Sequence, residues 1–317
     1  VFIGIHAAKV RKCLQAMPGD CVFLIIFVFM KPATIREFIA KIGSSLGELY
    51  SDAAEGKSVA EYLLASLLHT DRAGLYSIGG KIDDPQMLQS IQSAVNRLME
   101  NEPVQYVIGK TWFGGLEIKV APDVLIPRPE TEELAEWVIS MHEKEQDQLE
   151  IIDVGTGSGC LALLLKSRMP GAKVSGIDIS DAALLLASEN AVFHGLEISW
   201  LKLDILEAVY CPDAGKKLIV VSNPPYVLDS ERETMAERVR LYEPEIALFV
   251  PDSDPLRFYR RIAEIFQHDA AAMYFEINPM MDLQLCEMSM QFGFYSEIRN
   301  DFFGRNRMLR FIRLSVS

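Results

Sequence analysis

The chain has 317 residues, half of them hydrophobic and 24% charged, and its formal net charge is −13. This length suffices for a sizeable core and for two domains. Binding to a phosphate backbone relies on clustered Lys and Arg, so the negative net charge disfavours a nucleic-acid partner. The net charge alone does not decide this, because an acidic protein can still carry a local basic groove.

The cysteines and histidines give no sign of a disulfide framework or a metal site. The five cysteines are odd in number and include no CxxC pair, and the five histidines lack the spacing of metal ligands. We therefore expect no metal. Unpaired cysteines are typical of a reducing compartment, so we expect a cytoplasmic protein.

Residues 1–29 differ from the rest of the chain. A basic segment precedes an apolar run, Cys21–Met30, which is too short for the ~20 residues of a membrane-spanning helix. A signal peptide also combines a basic and an apolar segment, but a Pro-Gly-Asp sequence interrupts this one and no small-residue cleavage site follows. We expect Met30 to be the native start, residues 1–29 to be a non-native or disordered extension, and the protein to have no membrane partner.

Residues 30–103 follow the helical period and predict a small helical domain. Apolar residues share one face from Thr34 onward. Ser58–Glu61 matches a capping box and predicts a second helix that extends through Leu68, and Asp84, followed by proline, predicts the N-cap of a third. Such a bundle could be a packing appendage or could dock a macromolecular substrate, and the sequence pattern leaves both alternatives open.

Residues 104–125 alternate between apolar and polar side chains, and this period of two predicts a β-hairpin that links two domains. We expect Val104–Ile108 to form its first arm and Leu116–Val120 to form its second. Gly114-Gly115 lies between the arms, where a turn is needed.

A proline-rich segment, Leu125–Glu132 (LIPRPETE), opens the second domain, which we expect to span residues 126–317. Its prolines hold the backbone extended before a helix begins. Arg128 and Glu130 could be a simple charge pair at the start of this helix. Alternatively, the prolines could direct both side chains so that they line a binding site.

A buried strand is predicted at Leu149–Val154 and is followed at once by the glycine loop GTGSG and a helical segment. Strand, glycine loop and helix form the nucleotide-binding turn of doubly wound α/β folds, because glycine permits a tight turn and a close approach of the backbone to a ligand. The candidate cofactor-binding residues of this loop are Gly155, Thr156, Gly157, Ser158 and Gly159. The same pattern also fits a dinucleotide-dependent dehydrogenase.

Two acidic residues follow the next two predicted strands. Asp178 ends the strand that begins at Lys173, where a carboxylate accepts hydrogen bonds from ribose hydroxyls in nucleotide-binding folds. Its alternative role is the N-cap of the next helix, for which Ser180 is the more natural residue. Asp204 ends the strand that begins at Ile198, and it could contact the adenine amino group of the cofactor or simply occupy a turn.

The fourth predicted strand, Leu218–Val221, is followed by the sequence Asn223-Pro224-Pro225-Tyr226. Proline has no N–H group with which to continue a β-ladder. The first and fourth strands are neighbours in a sheet whose order reverses between its two halves. We therefore expect this turn and the glycine loop to lie side by side.

These four residues suit methyl transfer to a planar nitrogen and have no use in hydride transfer. The side-chain oxygen of Asn223 and a carbonyl of Pro224 can accept hydrogen bonds from the two N–H groups of an NH₂ group. The Tyr226 ring can pack on the plane of the group that carries this nitrogen. These interactions strengthen as the nitrogen gains positive charge in the transition state. We therefore predict that Asn223, Pro224 and Tyr226 are catalytic, and that Pro225 joins them in binding the substrate.

The chain resembles the HemK/PrmC family of protein-(glutamine-N5) methyltransferases, which modify peptide chain release factors, from about Thr34 to Arg313. The shared motifs are YVIG at 106–109, LIPRPETE at 125–132, DVGTGSG at 153–159, VSNPPY at 221–226, YEPEIAL at 242–248 and DFFGRNR at 301–307. The combination of LIPRPETE with VSNPPY is specific, whereas GTGSG alone is not. Two features depart from the pattern: Ile205, where relatives often carry an aromatic residue, and the Ile-Asn-Pro segment after Glu276, where many carry glycine.

The resemblance implies a class I methyltransferase fold, α/β and Rossmann-like with about seven mostly parallel strands, and S-adenosylmethionine as the cofactor. It implies that the glycine loop, Asp178 and Asn223 contact the methyl donor. It further implies that Asn223–Tyr226 hold the glutamine of the Gly-Gly-Gln loop of class-1 peptide chain release factors, and that the helical domain helps to dock the release factor.

Three other functions are compatible with these motifs. A DNA adenine-N6 methyltransferase uses the same Asn-Pro-Pro-Tyr chemistry on a flipped base, but the acidic chain has no obvious basic domain for DNA, so we expect no direct nucleic-acid partner. A glutamine methyltransferase that acts on a ribosomal protein is the second. The third is a non-enzymatic binding role, which a complete site disfavours.

Overall fold

The computed structural model describes residues 31–207 and 215–313. The chain divides into two compact units, Val1–Ile108 and Gly109–Ser317. The predictions for the extension at residues 1–29 and for Met30 as the native start lie outside the described residues. Within the described part of the chain, no helix is long and apolar enough to cross a membrane.

The described part of the first unit is a bundle of helices, which confirms the predicted helical character. Its elements are β1 (Ala33–Thr34), α1 (Ile35–Tyr50), α2 (Ala53–Leu67), α3 (Arg72–Ser77), β2 (Lys81–Ile82), α4 (Pro85–Met99) and α5 (Val104–Ile108). β1 and β2 pair antiparallel. Buried apolar residues of α1, α2 and α4, among them Phe38, Leu63 and Val95, form one core.

Two predicted helix starts are confirmed. Thr34 caps α1 in a capping box with Glu37, in which each side chain bonds the backbone N–H of the other residue. Asp84 caps α4, since its carboxylate accepts a hydrogen bond of 2.9 Å from the N–H of Met87, and proline occupies the first turn. Both caps satisfy N–H groups that the first turn of a helix leaves unpaired.

The predicted start of the second helix at Ser58 is wrong. α2 begins at Ala53, because the Asp52 carboxylate accepts hydrogen bonds from the N–H groups of Ala54 and Glu55, at 2.8 and 3.0 Å. Aspartate is as good an N-cap as serine, so the earlier residue starts the helix and Ser58 lies inside it.

The hairpin is present, but its first arm differs from the prediction. Its strands are β3 (Lys110–Phe113) and β4 (Leu116–Lys119), which pair antiparallel, whereas Val104–Ile108 is the short helix α5. Arg97 stabilises α5 by donating hydrogen bonds to two of its carbonyl groups, at 3.0 and 3.1 Å. An alternating pattern over five residues does not distinguish a strand from a helical turn.

The described part of the second unit continues from the hairpin into alternating helices and strands. Its helices are α6 (Pro129–His142), α7 (Cys160–Arg168), α8 (Asp181–His194), α9 (Glu237–Tyr242), α10 (Arg257–Phe266) and α11 (Asp282–Gln291). Its further strands are β5 (Leu149–Val154), β6 (Lys173–Asp178), β7 (Ser199–Lys202), β8 (Lys217–Ser222), β9 (Val227–Leu228), β10 (Phe249–Val250), β11 (Ala270–Glu276), β12 (Phe294–Asn300) and β13 (Asn306–Arg313).

One seven-stranded sheet organises this unit, in the order β12-β13-β11-β8-β5-β6-β7. β13 runs antiparallel to both of its neighbours, and the other pairings are parallel. This topology confirms the predicted Rossmann-like fold, including the adjacency of the first and fourth strands and the antiparallel last strand. β9 and β10 form a separate parallel pair.

Helices cover both faces of the sheet. Within β8, Ile219 and Val221 pack with residues of α6 and α7 on one face, while Leu218 and Val220 pack with residues of α10 and α11 on the other. Successive residues of a strand point to opposite faces, so a strand that is covered on both sides needs a continuous apolar run. The parallel pairing brings the carboxyl ends of β5, β8 and β11 to one edge of the sheet, where ligands bind in such folds.

Candidate active site

The glycine loop and the Asn-Pro-Pro-Tyr turn leave the sheet side by side, as predicted. Val154, the last residue of β5, is the register partner of Ser222, the last residue of β8. The Ser222 hydroxyl donates a hydrogen bond of 2.6 Å to the Val154 carbonyl. Since the loop begins at Gly155 and the turn at Asn223, both start from one paired position where the order of the sheet reverses.

The glycine loop is braced against the neighbouring strand β6. The N–H groups of Gly155 and Thr156 donate hydrogen bonds to the Ile177 carbonyl, at 2.8 and 3.0 Å. The N–H of Gly157 donates to the Asp178 carboxylate at 2.9 Å. Gly155 has a φ of 74°, which disfavours any side chain, and a Cβ added there would meet no atom within 4 Å. The loop therefore presents its backbone to open space that a ligand can enter.

Asp178 is the last residue of β6, whereas Asp204 lies two residues beyond the end of β7, and both are partly exposed. Asp178 accepts a second hydrogen bond, of 2.9 Å, from the Ser180 N–H, and burial raises the pKa of its carboxyl. Ser180 is the N-cap of α8, so Asp178 is not needed for that role. Asp204 accepts a hydrogen bond of 2.9 Å from the N–H of Leu206 and thus also shapes a turn.

Both polar side chains of the Asn-Pro-Pro-Tyr turn are held by hydrogen bonds. Nδ2 of Asn223 donates to Oγ1 of Thr131 at 3.0 Å, and the Tyr226 hydroxyl donates to Oε1 of Glu276 at 2.7 Å. Pro224 is buried, while Asn223 and Tyr226 are partly exposed. The turn is therefore fixed from within the protein and still has surface that a substrate can reach.

Glu276 is a site residue that the sequence pattern did not reveal. It is the last residue of β11, the strand beside β8, and is only 1% exposed. Its Oε2 accepts a hydrogen bond of 2.6 Å from Thr131, so one carboxylate holds both Thr131 and Tyr226. Burial raises the pKa of Glu276, and the two hydrogen bonds and the Arg307 charge only partly offset this. In the sequence, Glu276 is a single acid at the end of an apolar strand, and its partners are 145 and 50 residues away.

Two further residues contact the turn. Asn278, in the Ile-Asn-Pro segment that departs from the family pattern, donates a hydrogen bond of 3.3 Å to the Tyr226 carbonyl. The Arg307 guanidinium lies 5.8 Å from the centroid of the Tyr226 ring and donates to the Ile277 carbonyl at 3.1 Å. The DFFGRNR motif thus reaches the site. Burial and the nearby Glu276 charge raise the pKa of Tyr226 well above its ordinary value, so the phenol keeps its proton.

The two candidates for lining the site have different surroundings. Arg128 lies 2.5 Å from the buried carboxylate of Glu243, in the YEPEIAL segment. Glu130 is partly exposed, and its negative charge contributes to the raised pKa of Glu276. Arg128 therefore has a structural partner and Glu130 lies near the turn, and their contact with a substrate stays a prediction.

The residues of the glycine loop fit the cofactor that the resemblance implies, S-adenosylmethionine. Asp153, two residues before the loop, is fully buried, and among the described residues its Oδ1 has no hydrogen-bond partner. Burial raises the pKa of Asp153 to about 7. The open space beside Gly155 and the partly exposed Asp178 complete a site with backbone and acidic acceptors for a ligand that carries hydroxyl and amino groups.

Comparison with known proteins agrees with the methyltransferase fold. Two family models match the chain: the PrmC N-terminal domain over residues 39–109 and the methyltransferase small domain over residues 135–241. The fold and the site therefore define an S-adenosylmethionine-dependent methyltransferase of class I.

Curated relatives identify the family. The release factor glutamine methyltransferase of Flavobacterium psychrophilum is 40% identical over 237 residues, 73% of this chain and 82% of the relative. That of Bacteroides thetaiotaomicron is 37% identical over 280 residues, 87% of this chain and 99% of the relative. A solved structure, a release factor-specific protein-(glutamine-N5) methyltransferase of Alicyclobacillus acidocaldarius, is 26% identical with a TM-score of 0.38, over 62% of this chain and 98% of that chain. The chain belongs to the release factor glutamine methyltransferase family.

Proposed function

We propose that this protein transfers a methyl group from S-adenosylmethionine to the side-chain amide nitrogen, N5, of the glutamine in the Gly-Gly-Gln motif of class-1 peptide chain release factors. The observation that carries the proposal is the position of Asn223, whose anchored amide lies beside the glycine loop at the edge of the sheet. Membership of the family supports a glutamine as the acceptor. Since release factors act in translation, the proposal also places the protein in the cytoplasm.

The Asn-Pro-Pro-Tyr turn binds and orients the acceptor. An amide nitrogen is a poor nucleophile, because its lone pair is delocalised into the carbonyl group. Oδ1 of Asn223 and the carbonyl of Pro224 accept hydrogen bonds from the two N–H groups of the glutamine side chain, and the Tyr226 ring packs on the amide plane. The acceptors bind more strongly as the nitrogen becomes positive, so they stabilise the transition state more than the ground state. Such positioning can supply up to ~7–11 kcal/mol of the barrier.

The glycine loop and the two acids bind the donor. S-adenosylmethionine, when bound, supplies an electrophilic methyl group on a positively charged sulfur. The backbone of Gly155–Gly159 approaches the donor, Asp178 accepts hydrogen bonds from its ribose hydroxyls, and Asp204 accepts one from its adenine amino group. Arg128 and Glu130 line the acceptor side of the site.

The helical domain, residues 30–103, docks the release factor in this proposal. Its match to the PrmC N-terminal domain supports a role shared with the family. The net charge of −13 suits a basic protein partner better than a nucleic acid. The catalytic domain, residues 126–317, then needs to hold only the loop that carries the glutamine.

A transfer assay with labelled S-adenosylmethionine and three acceptors tests the proposal. The acceptors are a class-1 release factor, ribosomal proteins and unmethylated DNA. We expect label in the release factor, and none when its Gly-Gly-Gln glutamine is replaced by alanine. Asn223→Ala is the enzyme control, because it removes the acceptor-binding amide and leaves the glycine loop intact. Label in DNA or in a ribosomal protein, with none in the release factor, would overturn the substrate assignment.

A further inference from the structure

Three hydrogen bonds connect both polar side chains of the Asn-Pro-Pro-Tyr turn to one buried carboxylate. Asn223 donates to Thr131 at 3.0 Å, and Thr131 donates to Oε2 of Glu276 at 2.6 Å. Tyr226 donates to Oε1 of the same carboxylate at 2.7 Å. The four residues come from the turn, from the first turn of α6 and from the end of β11. We call this chain of four residues the carboxylate relay.

The direction of these bonds follows from the number of protons available. A threonine hydroxyl has one proton and two lone pairs, and an ionised carboxylate can only accept. The Thr131 proton is therefore committed to Glu276, and the group of Asn223 that faces Thr131 must be its NH₂ donor. Oδ1 lies on the other side of the amide carbon and is the group that can meet the NH₂ group of a substrate.

We propose that Glu276 is a positioning residue. Through Thr131 it fixes the amide orientation of Asn223, so that Oδ1 and not the NH₂ group meets the substrate amide. The same carboxylate sets the ring position of Tyr226 through its hydroxyl. The inference rests on the proposed function, since it concerns how the turn recognises the NH₂ group of the acceptor.

The location of this charge supports a role beyond packing. Glu276 is 1% exposed, and burying a carboxylate is costly even when donors surround it. A neutral glutamine would fill nearly the same volume at lower cost. Its NH₂ group is a donor, however, and would reverse the direction of one of the two bonds. A charged acceptor is therefore the group that leaves Asn223 a single orientation.

Glu276→Gln tests the proposal, because it keeps the shape and removes the charge. With the glutamine NH₂ group donating to Thr131, the hydroxyl proton turns to Oδ1 of Asn223, and two NH₂ groups then face each other in the complex with substrate. We expect kcat for the release factor to fall on the order of 10²-fold, as on loss of one oxyanion-hole donor. We expect an unchanged Kd for S-adenosylmethionine and a Tm that is not lowered.

Glu150→Gln is the matched control. Glu150 is also a buried carboxylate, 3% exposed, and it pairs with Lys173 near the amino end of β5, away from the site. We expect it to keep the wild-type kcat. A Glu276→Gln variant that matches Glu150→Gln in kcat would overturn the proposal.

Substitutions of Thr131 separate the carboxylate relay from simple packing. Thr131→Ser keeps the hydroxyl and should keep a kcat close to wild type, whereas Thr131→Val keeps the shape and should lose kcat as Glu276→Gln does. If Thr131 acts through Glu276, the double variant should be no slower than Glu276→Gln alone, which breaks the bonds to both Thr131 and Tyr226. Losses that multiply in the double variant would indicate two separate packing defects and would overturn the proposal.

A spectroscopic readout of Asn223 needs no acceptor substrate. In the wild type we expect one Nδ2 proton of Asn223, assigned by its loss in Asn223→Ala, to be protected from exchange by its bond to Thr131. In Glu276→Gln that protection should vanish. This readout tests the carboxylate relay even if the release factor is not the acceptor, so the two failures are distinguishable. An unchanged Asn223 signal in Glu276→Gln would overturn the carboxylate relay.

Discussion

Arg128 and Glu243 form an ion pair at 2.5 Å that joins segments 115 positions apart in the chain. The Glu243 side chain is 1% exposed, and its second oxygen accepts a hydrogen bond of 3.2 Å from the N–H of Ile126. This carboxylate therefore holds the LIPRPETE segment against the chain that follows the Asn-Pro-Pro-Tyr turn. Because α6 begins at Pro129, the contact also helps to fix Thr131, the partner of the Asn223 amide.

Arg128→Ala should destabilise the protein. It leaves a buried carboxylate with one donor fewer, which costs about 1–3 kcal/mol. The Arg128 side chain is 30% exposed, so the loss should stay below the ~3–5 kcal/mol of a fully buried pair. Arg128→Lys keeps the charge without the guanidinium and should lose less. Urea unfolding measures the change in the free energy of unfolding, and a value within about 0.5 kcal/mol of wild type for Arg128→Ala would contradict the prediction.

Gly155→Ala should weaken the binding of S-adenosylmethionine as well as destabilise the fold. A φ of 74° costs an alanine about 1–2 kcal/mol, and the added Cβ enters the open space that we assign to the donor. Gly195→Ala is the matched control, because Gly195 also has a positive φ, 64°, and open space for a Cβ, but it ends α8. In calorimetric titration with S-adenosylmethionine, the Kd of Gly155→Ala should be roughly tenfold weaker than that of the wild type, and the Kd of Gly195→Ala should be unchanged. Equal Kd values for the two variants would rule out the donor-binding role of the loop.

Asn223→Ala should lower kcat far more than it weakens donor binding. In the proposed function the Asn223 oxygen binds the acceptor nitrogen most strongly in the transition state, and losing such a contact costs on the order of 10²–10³-fold in kcat. Steady-state assays with the release factor give kcat, and titration with S-adenosylmethionine gives Kd. Equal losses in both quantities would mean that Asn223 mainly builds the donor pocket.

The activity should depend on pH through Glu276. Burial and the Glu130 charge raise the pKa of Glu276, while its hydrogen bonds and the Arg307 charge lower it, and the net shift is upward. Tyr226 donates to the Glu276 carboxylate and Tyr259 to the Glu276 backbone carbonyl, and both phenols keep their protons because burial raises their pKa values. The carboxylate relay needs the ionised form. At saturating substrate, kcat should therefore rise with pH through an apparent pKa above the ordinary ~4.3 of glutamate.

The control for this profile is Glu276→Gln, which has no carboxyl to titrate. Its remaining activity should show no rise in this range of pH. If the rise persists with the same midpoint, another group is responsible for it.

Stability should respond to the same group with the opposite sign. A carboxyl whose pKa is raised on folding stabilises the fold in its protonated form, so this stabilisation is present below ~4.3 and is lost as the pH rises through the folded pKa. At neutral pH, Glu276→Gln should therefore be at least as stable as the wild type, and its advantage should shrink in acid. Thermal unfolding at several pH values measures this difference, and a lower Tm for Glu276→Gln at neutral pH would contradict it.

Local sequence signals located both loops of the site but not the residues that brace them. Prolines after an apolar strand mark the turn at Asn223, and glycines mark the nucleotide loop, because both signals lie in adjacent residues. The role of Glu276 depends on the register that sets β11 beside β8 and on Thr131, 145 residues away. The error at Val104–Ile108 has the same origin, since hydrogen bonds from Arg97 stabilise a helix that the alternating pattern does not indicate.

The most direct test of the proposed function is tandem mass spectrometry of a class-1 release factor after incubation with this protein and S-adenosylmethionine. We predict the added mass of one methyl group on the side chain of the Gly-Gly-Gln glutamine. A release factor that remains unmodified at this glutamine, although the protein binds S-adenosylmethionine, would contradict the assignment.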